Sequence, residues 1–293
     1  MEHGWYLAIM NGSGIVAEGG GRYNLKTLTL TGTDTAKWNG TGIVQIGDTM
    51  TINSLAFYQS KAPLYIPTNS KFTIRGTSQY NRFNNLYVTD RVDRDIIVRQ
   101  KVNIIVDSFF NVLSSKTTSI YDFSGQSIQV NGEYKIATAS NANILQPDSL
   151  SSLVLEGSGP SSAITFKTEF RKLKAFVHNK AVLPANIAVP ITIKERIDLF
   201  NGELTGVTNI TLSEGATVRR SNGSIATGFN NASGKINLEY WASLKKKTNS
   251  TLVFFYFGFI EVMINLLLLF RYGHLQIDTK LCTHRHPICN WFR

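Results

Sequence analysis

Cysteine is absent from the first 281 residues of this 293-residue chain; Cys282 and Cys289 both fall in the last twelve. That excludes a disulfide framework and leaves burial and backbone pairing to hold the fold together. Helical periodicity is also missing, because no stretch before residue 250 sustains a 3.6-residue apolar repeat over three turns. Clustered cations are absent from the body. The net charge is +10, but residues 245–293 carry seven Lys/Arg against Glu261 and Asp278, and the remaining +5 is interspersed with acids. Phosphate recognition needs a basic stripe, so nucleic acid is not an expected partner. Residues 1–5 lack the basic and apolar regions of a secretory signal, and the early glycines (Gly12, Gly14, Gly19, Gly20 and Gly21) read as a start inside a larger protein.

What is present is β-rich. Thr, Ser, Asn, Val and Ile fill the runs between 23 glycines, and a 43% hydrophobic content suffices for a large core. Residues 22–58 alternate apolar with Thr or Asn positions, which turns one face inward and the other to water. Gly32, Gly47 and Asn53 punctuate them with the backbone that corners need.

The chain also repeats itself. Phe83-x-x-Leu86 returns as Phe170-x-x-Leu173, and Val102, Ile104 and Val106 return as Val189, Ile191 and Ile193, all offset by 87. Ile128, Val130, Tyr134 and Ile136 return as Ile210, Leu212, Ala216 and Val218, offset by 82. A period near 85 residues marks an array. It predicts an all-β, right-handed parallel β-solenoid (β-helix) of about four coils of roughly 20 residues per copy, with tandem immunoglobulin-like β-sandwiches as the alternative. The units at 64–76, 128–136 and 210–218 read as apolar strand, polar corner, apolar strand, and fit either hairpins or solenoid corners. Trp5, Trp38, Trp241 and Trp291 do not recur at the period, as a sandwich-core Trp would. The organisation expected is an irregular start or partial coil at 1–21, an array at 22–244 with copies near 83–169 and 170–244, and a non-repeat tail at 245–293.

The segments Phe83-Asn-Asn-Leu86-Tyr-Val88, residues 182–193, residues 198–204 and residues 209–218 resemble repeat regions of large secreted or cell-surface, adhesin-like proteins of Bacteroidota exported by the type IX system. Residues 234–240 resemble that family's closing strand, and the likeness covers residues 20–243. It implies an extracellular or surface location for a parent protein, a structural or adhesive role, and carbohydrate or protein partners. It carries over no catalytic, cofactor-binding or metal-ligating residue.

Candidate chemistry is sparse. Asp90, Asp93 and Asp95, with Arg91 and Arg94 between them, form the densest acidic group, a Ca²⁺ or lyase arrangement on one reading and a self-neutralised loop on the other. A polysaccharide lyase or hydrolase needs placed carboxylates, yet Asp48, Asp107, Asp122 and Glu133 are scattered without recurrent pairing. Tyr58, Tyr65, Tyr80 and Tyr87 are candidates to stack on sugars along a coil face. Cys282, His284, His286 and Cys289 have zinc-type side chains at a spacing that matches no ligand motif, and His274 adds nothing to them. No catalytic, cofactor or metal site is therefore expected.

Residues 252–270 are apolar enough for marginal membrane insertion, roughly −4 to −8 kcal/mol opposed by about +3 from Glu261. A single-pass anchor is one expectation for the tail. Out-of-frame translation after the run Lys245, Lys246 and Lys247 is the other, since the repeat register ends there.

Overall fold

Apolar residues alternating with Thr, Gln and Asn make strands with one buried and one open face. Leu28, Leu30, Val44, Ile46, Met50 and Ile52 are all fully buried, whereas Thr27, Thr29, Gln45, Thr49 and Thr51 between them are half-buried. The computed structural model describes residues 4–11, 22–32, 35–38, 41–53, 58–61, 63–68, 71–79, 81–90, 95–114, 116, 118–138, 144–167, 172–180, 183–226, 231–232, 234–240, 252–257, 266–270 and 273–276.

Up to residue 240, every strand pairing among them is parallel, and paired residues lie 19 to 26 positions apart. Sandwiches are built from antiparallel pairs, so this is a parallel β-solenoid in which each coil hydrogen-bonds to the next. The strand–corner–strand units are coil corners and not hairpins. Ser127–Val130 and Glu133–Thr138 both run parallel to Ile104–Ser114, side by side. Ile210–Leu212 and Thr217–Arg220 do the same along Ile191–Asn201. Gly132 allows the first of these corners, because a Cβ there would lie 1.9 Å from the Ser108 carbonyl oxygen.

The register sorts the coils into stacks. A first stack holds residues 22–25, 43–46, 64–65, 85–89 and 109–114, and ends with the Tyr134–Ser161 bridge. A second holds 27–30, 49–52, 73–76, 97–100, 120–122 and 145–146. A third runs from 36–38 through 104–106, 128–130, 152–157, 175–180, 196–199 and 217–220 to 237–240. Inside the third stack, Ile104, Ile128, Leu153, Phe176, Ile197 and Val218 form one buried column. The core is continuous along the axis, as the recurrent aliphatic positions predict. Ile104 is 0% and Ile191 2% exposed.

The repeat is real but turned. Ile104–Ser114 and Ile191–Asn201, 87 residues apart, are equal in length and nearly identical in burial pattern. Four coils from Ile104 to Ile197 consume 93 residues, six more than the repeat. The second copy is consequently rotated by about one face. Residues 104–106 occupy the third stack in the first copy, whereas 196–199 occupy it in the second. The Phe-x-x-Leu correspondence also slips. Phe83 pairs with Val106 and Leu173 with Ile193, so Phe83 and Leu86 are equivalent to Leu173 and Phe176.

Beyond Tyr240 the pairing reverses. Leu252–Phe257 runs antiparallel to Ile236–Tyr240, followed by antiparallel Leu266–Phe270 and Gly273–Gln276. No helix among the described residues is long and apolar enough to cross a membrane, a statement that leaves β-barrels aside. Residues 258–265, inside the apolar run, lie outside the described residues.

Candidate functional site

The outer faces carry side chains in columns, because parallel coils in register place like positions about 4.8 Å apart. On the first stack, Tyr65 and Tyr87 are half-buried and stack with ring centroids 4.5 Å apart and planes 9° from parallel. Phe109 follows, tilted 59° against Tyr87 at 5.2 Å. Burial raises the Tyr87 hydroxyl above its ordinary pKa, assisted by neighbouring Tyr65 and Glu133. The residue in register with Tyr87 on the next coil is Asn111, so the two-ring stack ends at Tyr87, and Phe109, in register with Asn85 and Glu133, tilts against it from the side.

A second column follows the corner between the third and first stacks. Arg82 donates to both carboxylate oxygens of Asp107 at 2.6 and 2.8 Å, and Asn131 donates to Asp107 at 2.8 Å. Gln129 bridges Asn131 and Glu156 at 2.9 and 3.2 Å, and Asn201 donates to Asn179 at 2.6 Å. These groups satisfy one another along the axis and leave no convergent acid pair among them.

The third feature is a flat threonine face on the second stack. Thr27, Thr49 and Thr73 are in register, as are Thr29, Thr51 and Arg75, with Leu28, Met50 and Ile74 pointing inward between the columns. Arg75 Nε donates to Thr51 Oγ1 at 3.2 Å.

Where the first stack ends, charge is buried. Lys180 is 0% exposed, and its Nζ donates to the carbonyls of Gly132, Glu156 (3.3 Å) and Gly159 (2.7 Å). These carbonyls belong to the Gly132 corner and to the corner stacked on it, where Gly157 lies against Asn131 and Gly159 against Gly132. His178 is equally buried, in the column between Leu155 and Leu199, and neither ring nitrogen makes a good hydrogen bond. Burial depresses the His178 pKa, Lys180 adds to this, and backbone at Leu183 and Glu203 opposes it.

Burial lowers Lys180 from 10.5 to about 8, with Glu133 opposing. The unfolded lysine keeps its proton to 10.5, so the cost of burying the charge is full below pH 8 and fades as pH rises to 10.5. Burial raises Tyr121 and Tyr134, which then ionise only in the unfolded chain above about pH 10 and reverse the trend. Urea melts across pH 7–11 should show stability rising from pH 8 by at most about 3 kcal/mol, then falling. In Lys180→Met the rise should vanish; an unchanged rise would refute the assignment.

Other expected residues are placed differently. Tyr58, expected as an exposed sugar platform, is fully buried against Phe83 at 5.3 Å, because its strand turns it into the core. Tyr80, Arg91, Asp93 and Arg94 lie outside the described residues; Asp90 ends a strand, and Asp95 accepts from Thr118. Asp122 accepts from the Ser124 amide at 3.0 Å and faces Lys101 at 3.8 Å. Asp48 lies within strand Ile43–Ile52 and Glu133 begins strand Glu133–Thr138, so these carboxylates do not converge. No group of three or more His, Cys, Asp or Glu among the described residues could hold a metal. Cys282, His284, His286 and Cys289 lie outside the described residues, and His274 sits in strand Gly273–Gln276.

Sequence reasoning passed over Phe109 and the threonine columns; Tyr65 and Tyr87 are one coil of 22 residues apart, whereas the next coil takes 24 and places Asn111, not Phe109, in register with Tyr87. It also passed over Lys180, for which no local signal exists. No family model, curated protein or solved structure matches this chain.

Proposed function

We propose that this chain is a non-enzymatic structural or adhesive array from a secreted or surface protein, binding carbohydrate or protein along a solenoid face. The likeness to Bacteroidota surface repeats belongs to the same proposal. One observation carries it. The outward residues form register-matched columns over successive coils, with Tyr65 stacked on Tyr87 and Phe109 tilted against that pair. Flat faces suit extended partners, which gain from many weak, evenly spaced contacts. The acids support the same reading. Asp107 is tied to Arg82 and Asn131, and Asp122 to a backbone amide, so neither is poised as a base for sugar-chain cleavage.

A glycan array and a panel of immobilised extracellular proteins, probed with the full chain, should yield binders. Their affinity should fall at least tenfold in Tyr65→Ala/Tyr87→Ala. Release of new sugar ends from a polysaccharide, abolished by Asp107→Asn, would instead assign an enzyme.

A further inference from the structure

The threonine face has a geometry of its own. Along each strand, outward residues recur at every second position, about 6.6–6.8 Å apart, and across coils at about 4.8 Å. Thr27 and Thr29, Thr49 and Thr51, and Thr73 therefore occupy points of one two-dimensional lattice. Thr31 ends the strand Arg22–Thr31, two residues beyond Thr29, and extends the edge of the lattice. All of these threonines are half-buried or exposed.

Threonine makes such a lattice rigid. Branching at Cβ leaves few χ1 rotamers, and packing between in-register neighbours restricts them further, so each position holds one methyl and one hydroxyl in a fixed orientation. The methyls exclude disordered water, and the hydroxyls stand at constant intervals, that of Thr51 already accepting from Arg75. Charged residues border the five threonines: Lys26 at the strand irregularity before Thr27, Asp48 before Thr49, Arg75 in line with Thr29 and Thr51, and Arg99 in register with Thr73. No aromatic ring sits among Thr27, Thr29, Thr49, Thr51 and Thr73, so the patch lacks the platform on which a sugar ring would stack.

We propose that this face binds ice. A regular grid of hydroxyls with methyls between them orders its bound water at spacings close to the oxygen repeats of a prism face of hexagonal ice. That ordered layer then merges with the crystal. The inference goes beyond the adhesive reading and uses a different face from the stacked tyrosines, so either can fail without the other.

The experiment is partition of the purified full chain between a slowly growing ice front and the remaining liquid. Wild type should be enriched in ice at least fivefold over Thr29→Tyr/Thr51→Tyr, whose bulky rings break the plane. Tyr65→Ala/Tyr87→Ala should enter ice as wild type does. If the tyrosine pair fails to fold by circular dichroism, Thr29→Ser/Thr51→Ser is read instead and should lose at least half the enrichment. Exclusion of wild type from ice, or equal entry of folded threonine variants, overturns the proposal. So does binding to crystalline cellulose or chitin that depends on Thr29 and Thr51 in a protein excluded from ice.

Discussion

Ile191→Asp should abolish folding of the second half of the array. Ile191 is 2% exposed, pairs with Ile210, and has no cationic partner among the described residues in register with it. Losing the aliphatic side chain costs about 2–5 kcal/mol, and a buried unpaired carboxylate adds several more. The sum rivals the whole stability of a typical domain, about 5–15 kcal/mol. Because coils contact only their neighbours, the damage should be regional. Hydrogen exchange should show lost protection at 191–220 while residues 43–52 and 73–76 stay protected. Thr192→Asp, one residue along on the open face, should change stability by no more than about 0.5 kcal/mol. Equal effects of the two substitutions would show that the inward assignment of Ile191 is wrong.

Gly76→Ala should be nearly as damaging, for a steric reason. Gly76 has φ of 142°, a conformation that L side chains rarely adopt, and an added Cβ would sit 1.5 Å from the Ile52 carbonyl oxygen. That oxygen already accepts from the amides of Thr77 at 2.8 Å and Ser78 at 3.4 Å, so it cannot withdraw without breaking the corner. Strain and broken backbone pairing together should cost about 3 kcal/mol or more. A thermal melt measures this directly. Gly125→Ala is the control, since its φ of 75° is also positive, though nearer the left-handed region that L residues visit, and no atom lies within 4 Å of an added Cβ. It should cost about 1 kcal/mol. If both variants melt alike, backbone preference and not close approach governs the corner.

Much of the core was legible because inward and outward positions alternate along a strand whatever it pairs with. Ile104, Val106, Ile128, Val130, Ile191, Ile193, Ile210 and Leu212 all face inward as their spacing predicts. Tyr58 was not legible. In the short strand Tyr58–Ser60, a single tyrosine has no flanking alternation to assign its face. Lys180 was still less so. Its backbone acceptors at Gly132, Glu156 and Gly159 lie 48, 24 and 21 residues away in the chain. The aromatic and threonine columns were half-visible, as spacings near 22, but a spacing becomes a column only when register is known.

Local sequence by itself determined the β character, the two-residue alternation, the punctuating corners and the existence of two copies, since each is set by interactions among residues close in the chain. Only the tertiary structure decided strand direction, the rotation of one copy against the other, and which side chains share an outer face. Those depend on which coil lies against which, and a six-residue difference between repeat length and four coils moves a whole copy round by one face.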